Sequence, residues 1–115
     1  MRSRLEQQLD NLHLELRKMG AMCEEGISAG VKAFLECDSA MAQRAIACEA
    51  EIDDAEHSIE ALCIQLLLRQ QPVARDLRTI SSALKMISDM ERIGDQAADI
   101  AEIISHMETT AIPGT

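Results

Sequence analysis

The sequence predicts an all-α fold, an antiparallel three-helix bundle, from three observations. Apolar residues recur at steps of three and four along three long stretches, and turn signals at Asp38-Ser39 and Gln71-Pro72 separate them. Phe34 is the only Phe, Tyr or Trp in 115 residues, so Leu, Ile, Ala and Met must build the core. Valine is scarce, and most of these core side chains lose little rotamer freedom in a helix. The length suits one hydrophobic core and is too short for two ordinary domains.

The first stretch places Leu5, Leu9, Leu12, Leu16, Met19, Cys23 and Gly26 on one seam, with Val31 and Phe34 continuing on nearby faces. Asp38 or Ser39 then offers a cap, and Gln43 stands where a capping box starting at Ser39 or Ala40 would place its amide. The second helix carries Met41, Ala45, Cys48, Ile52, Ala55, Ile59, Leu62 and Leu66 and ends near Arg69. Pro72 fits the first turn of a helix and disfavours helical backbone at Gln71, so the second break belongs there. The third helix shows two apolar stripes. One is Leu77, Ile80, Leu84, Ile87, Glu91, Gly94, Ala98 and Ala101; the other is Met86, Met90, Ile93, Ala97, Ile100, Ile104 and Met107. Two stripes require two neighbours, which an antiparallel bundle over residues 1–107 provides; residues 108–115 read as a frayed tail.

The formal charge of −9 argues against a nucleic-acid partner, since binding phosphates needs concentrated Lys and Arg. Cations and basic protein surfaces suit the chain better. The N-terminus has no apolar run of a signal peptide, and no apolar stretch approaches the ~20 residues of a membrane span, so cytoplasm is the expected location. Cys23, Cys37, Cys48 and Cys63 stand 11 to 15 residues apart without a C-x-x-C, which signals reduced, packing cysteines rather than a zinc site or disulfide framework.

Four acids carry the candidate chemistry. Glu49/Asp53 and Glu91/Asp95 are two Glu-x-x-x-Asp pairs lying 23 and 19 residues either side of Pro72. Residues four apart share a helix face, so a hairpin folded at Pro72 brings the two pairs together. Carboxylates that close repel unless they take up protons or share a cation. Two readings follow from the spacing. The acids form a metal site for a hard or intermediate cation such as Mg²⁺, Mn²⁺ or iron, or they are a solvated groove paired loosely with Arg44 or Arg92. Glu49, Asp53, Glu56 and Glu60 form one acidic stripe, with Lys85 expected to neutralise Glu60 and His57 an extra candidate ligand near Asp53. Gly94 beside Asp95 suggests a close approach by a neighbouring helix or a ligand.

The string Gln70-Gln71-Pro72-Val73-Ala74-Arg75-Asp76-Leu77-Arg78-Thr79-Ile80, followed by Leu84-Lys85 and Asp89-Met90-Glu91-Arg92-Ile93-Gly94-Asp95-Gln96-Ala97, resembles the PhoU family of phosphate-signalling regulators. Upstream, Glu51-Ile52-Asp53-Asp54-Ala55-Glu56, Ile59-Glu60 and Cys63 fit the same pattern, and the resemblance covers about residues 5–107. It departs at Met90, where Leu is usual, and at Asp99, where Asn is common. The resemblance implies a fold of repeated three-helix bundles, of which one is present here. This is then a fragment, or a single-bundle member that pairs as a homodimer.

The resemblance also implies that Glu49, Asp53, Glu91 and Asp95 bind metal, as a multinuclear cluster of iron, manganese, zinc or magnesium. The implied function is non-enzymatic. It is that of a negative regulator of the phosphate-starvation response, bridging the ATP-binding subunit of a phosphate ABC transporter and a sensor histidine kinase, and reaching the membrane only through them. Two other classes compete: a structural oligomerisation bundle without metal, and a carboxylate di-metal enzyme. The latter usually needs Glu-x-x-His pairs, and no Glu here is followed by His three residues later.

Overall fold

Three helices account for almost all of the backbone that the computed structural model describes, residues 3–109. They are α1 (Arg4–Glu36), α2 (Ser39–Arg69) and α3 (Ala74–Thr109), stacked antiparallel into a rod measuring 68 × 21 × 17 Å. The longest helix has 36 residues, about 54 Å at 1.5 Å per residue, so the rod exceeds any single helix and the three are staggered along it. Of the tail expected from 108, residues 108 and 109 belong to α3, and residues 110–115 lie outside the described residues. No helix among the described residues is long and apolar enough to cross a membrane.

The caps explain the boundaries. Ser3 opens α1 by accepting a hydrogen bond from the Glu6 amide. Asp38 opens α2 by accepting from the amides of Ala40 and Met41 at 3.0 and 3.2 Å, satisfying two of the orphan donors of the first turn. The capping box around Gln43 does not form, because Asp38 takes its place. The Gln43 amide instead reaches Ser105 on α3 at 3.4 Å. Between α2 and α3, Gln71 sits at φ 44° ahead of Pro72.

Helix α1 ends at Cys37, which adopts φ 51° and ψ 43° and donates its amide to the Ala33 carbonyl. This left-handed cap is a glycine position, since a Cβ there crowds the following carbonyl. Cys37 is therefore exposed and outside the helix, whereas Cys23, Cys48 and Cys63 are buried and pack as the spacing suggests. Cys37→Gly is expected to stabilise the fold by about 1 kcal/mol. Urea unfolding under reducing conditions measures it; an unchanged or lower midpoint would contradict the strain.

The core has two parts of different build. The larger joins Leu12, Met19 and Cys23 of α1 to Cys48, Ile52, Ile59, Cys63 and Leu66 of α2 and to Ile80, Ala83 and Ile87 of α3. The smaller, at the α1–α2 turn, is thin: among the described residues Ala29, Ala33, Ala42, Ala45 and Ala101 are buried there with Ile104, and Met41 and Ile46 pack against them partly buried. There α1 turns Ala29 and Ala33 inward, which leaves Val31 and Phe34 50% and 66% exposed. The second stripe of α3 is covered only in part: Met90 and Ile104 pack into the core and Ala97 lies against Gly30, whereas Met86, Ile93, Ile100 and Met107 are exposed.

Candidate metal centre

Gly94 fixes how closely α2 and α3 cross at the acidic face. A Cβ added to Gly94 would stand 2.8 Å from Ile52 Cδ1 and 3.4 Å from Ile52 Cγ2, so a larger residue would force the Ile52 side chain to shift or the two helices to part. The close approach expected at Gly94 is thus a helix crossing, made by a side chain that is 1% exposed. Ile52 precedes Asp53 and Gly94 precedes Asp95, so this contact sets the two acidic pairs beside each other. The register is displaced slightly from a mirror about Pro72, which would have set Ile52 opposite Arg92.

All four carboxylates lie on the α2–α3 edge and are half-buried. Asp95 stands next to both Glu49 and Glu91, close enough to raise both carboxyls. Burial raises the Glu49 carboxyl above the ordinary glutamate range, and the adjacent Asp95, then Asp99 and Glu102, push it further. Glu91 is raised by burial first, then by Asp95, Glu56 and Asp53. Among the described residues no Lys or Arg pairs with any of the four. Arg44 is held by Glu25 at 2.6 Å and Glu51 at 3.2 Å on the α1 side, and Arg92 reaches only Asp89, at 4.0 Å. The expected Lys85–Glu60 pair is also replaced, because Lys85 turns along its own helix to Asp89 at 3.8 Å.

The structure adds Glu56 to the set. Oxygens of Asp53 and Glu56 and a ring nitrogen of His57 lie within 4.8 Å of one another. Burial raises Glu56, and Asp53, Glu60 and Asp95 add to it against the lowering pull of His57. The signal for Glu56 was its place in the acidic stripe, three residues after Asp53. His57 Nδ1 lies 2.8 Å from the Asp53 carbonyl oxygen, which fits an Nδ1–H donor and leaves Nε2 with a free lone pair in the neutral ring. That backbone contact, with the Asp53 carboxylate, raises the His57 pKa.

These shifts set the pH dependence of the metal-free fold. Glu49, Glu56 and Glu91 bind protons more tightly folded than unfolded. Their contribution is present below the ordinary value of 4.5 and is lost as pH rises through the raised values. His57 acts in the same direction from its ordinary 6.5. Glu25, lowered by its hydrogen bond from Arg44, acts oppositely and loses stability only as pH falls below 4.5. With chelator present, the Tm is therefore expected to be higher at about pH 5.5 than at about pH 8. Thermal scans by circular dichroism check this, and a Tm that stays level or rises from about pH 5.5 to about pH 8 would contradict the repulsion.

The fold and this face define a class: a three-helix bundle whose acidic edge has no Lys or Arg paired to it among the described residues. The comparisons place it further, and the chain belongs to the PhoU family, whose domain model matches residues 16–104. It is similar to a phosphate-specific transport system accessory protein PhoU homolog of Clostridium acetobutylicum, 42% identical over 103 residues, covering 89% of this chain and 47% of that protein. The protein of the same name in Synechocystis is 37% identical over 112 residues, 97% of this chain and 49% of the relative. That of Pseudomonas putida is 38% identical over 94 residues, 82% and 37% of the two chains. The chain thus spans about half the length, or less, of these relatives. No solved structure matches it.

Proposed function

We propose that this protein is a metal-binding regulatory adaptor of phosphate uptake and signalling, acting without catalysis. Family membership supports the phosphate-transport role, since its relatives are named accessory proteins of phosphate-specific transport. The observation that carries the metal reading is a set of half-buried carboxylates, of which Glu49 and Glu91 are raised by burial and then by the adjacent Asp95, with no Lys or Arg among the described residues paired to them. Such a donor set fits a hard or intermediate cation, with Mg²⁺, Mn²⁺ and iron ahead of zinc. Glu49, Asp53, Glu91 and Asp95 would hold it, with Glu56 and His57 at its edge. A bound cation would neutralise the repulsion and clamp α2 to α3; more than one ion can share a site of this kind.

In this reading the chain acts in the cytoplasm, as a homodimer. It meets the membrane only through the ATP-binding subunit of a phosphate ABC transporter, and it passes phosphate sufficiency to a sensor histidine kinase as a repressing signal. Deleting the chain's gene and following a phosphate-starvation reporter at high phosphate tests it. Derepression, restored by the wild type, is expected. Reporter output that stays repressed in the deletion would contradict the regulatory role.

A further inference from the structure

The α2–α3 turn carries charge of the opposite sign to the rest of the chain. Residues 61–88 hold Arg69, Arg75, Arg78 and Lys85 against a single acid, Asp76, a net +3 on a chain whose formal total is −9, so the remainder carries −12. Helix α1 begins at the same end of the rod and brings Arg4, Glu6 and Asp10 there. Lys85 is taken by Asp89. Arg69, Arg75 and Arg78 are exposed, and among the described residues none of the three pairs with an acid.

The same turn exposes apolar bulk. Leu67, Leu68, Val73 and Leu77 are 39%, 77%, 63% and 43% exposed. All four lie within about one helical turn of the ends of α2 and α3, so they stand at the tip of the hairpin with the three arginines interleaved. Pro72 fixes its own φ, which leaves the tip less freedom to lose on docking. An arginine fork holds a carboxylate by two parallel N–H···O bonds, and apolar neighbours strengthen such a pair by excluding water.

We propose that the α2–α3 tip is a docking surface for a protein partner that offers an apolar recess rimmed by Asp and Glu. The proposal rests on the adaptor reading above and gives it a contact. Charge complementarity selects the occupant. An anionic lipid sheet would also face the acids borne by the rest of the molecule, whereas an acidic patch on a protein need face only the tip. Three unpaired arginines also fall short of the roughly four to eight clustered Lys and Arg that mark anionic-lipid binding. The surface is the end of a rod 21 × 17 Å across, which fits into a recess rather than cradling an extended peptide. Separation of charge along the rod turns this end toward an acidic partner during approach.

Biolayer interferometry with the chain as analyte tests this. The probes are the phosphate ABC transporter and the sensor histidine kinase of the adaptor reading, each in nanodiscs of zwitterionic lipid, beside phosphatidylglycerol vesicles. Arg75→Glu/Arg78→Glu and Leu68→Ser/Val73→Ser are compared with the wild type and with Arg17→Glu/Lys18→Glu, which changes the net charge as much as the first variant does, at exposed positions on α1.

The wild type and the α1 variant are expected to bind at least one of the two proteins, more weakly as salt is added. Each tip variant is expected to bind it at least about 30-fold more weakly at unchanged helix content. If Arg75→Glu/Arg78→Glu lowers helix content, Arg75→Gln/Arg78→Gln replaces it. Binding that persists in folded tip variants overturns the docking surface and leaves the adaptor reading standing. A wild type that binds neither protein overturns both. Tip-dependent binding to the vesicles, without tip-dependent binding to either protein, overturns a protein as the occupant.

Discussion

Ile52→Ala is expected to cost about 2–5 kcal/mol of folding stability, the range for removing a fully buried aliphatic side chain and leaving a cavity. Ile52 is 1% exposed and forms the contact that sets α2 against α3 beside the acids. The same substitution is expected to weaken cation binding, since Asp53 and Asp95 lose the crossing that holds their backbones in register. Gly94→Ala approaches the crossing from the other side. Its methyl would meet Ile52 Cδ1 at 2.8 Å, an overpacking cost of about 1–3 kcal/mol, partly offset by about 1 kcal/mol of helix propensity. The two changes should therefore compensate: Gly94→Ala is neutral or harmful in the wild type and stabilising in Ile52→Ala. A double-mutant cycle in urea reads this coupling, and additive costs would show that Ile52 and Gly94 do not set the spacing.

The second large effect concerns charge. Glu91→Gln/Asp95→Asn removes the two α3 acids while keeping their shape and their capacity to hydrogen-bond. In chelator at neutral pH the variant is expected to melt higher than the wild type, because Glu49, Glu56 and Asp53 face less negative charge across the helix edge. In Mn²⁺ or Fe²⁺ the order should reverse, since only the wild type gains a ligand bound to its folded state alone. A variant that melts lower than the wild type in chelator would show that these acids stabilise the bare fold, as a solvated face does. The comparison separates site from groove because a structural acid and a ligating acid respond oppositely to chelation.

Much of the fold was legible because strong local signals coincided with its boundaries. Asp38 caps α2 where a cap was expected, and Pro72 marks the break before α3. The steps of three and four named most of the larger core, Leu12, Met19, Ile52, Ile59 and Leu66 among them. The meeting of Glu49 with Asp95 followed from the hairpin geometry alone. Other features depend on tertiary detail that spacing does not carry. The α2–α3 register is set by Ile52 against Gly94, a packing contact, and a straight α-helix drifts against any fixed count from the turn. The same drift carries α1 from its leucine seam onto Ala29 and Ala33 and leaves Phe34 exposed.

Ion pairs were the least legible, because long side chains choose among near-equivalent partners. Lys85 takes Asp89 rather than Glu60, and Arg44 takes Glu25 and Glu51 rather than the acidic edge. With Arg44 and Lys85 paired elsewhere, those carboxylates have no Lys or Arg partner among the described residues. Glu56 was visible as one member of a stripe, but its approach to Asp53 and His57 depends on rotamers that sequence does not fix.

Elemental analysis of the purified, untagged chain beside Glu91→Ala/Asp95→Ala tests the central claim most directly. The account predicts iron, manganese or another di- or trivalent metal in stoichiometric amount in the wild type, and its loss from a variant that retains its helix content. A wild type free of metal after purification and after incubation with Fe²⁺ and Mn²⁺, or a variant that keeps its metal, would contradict it.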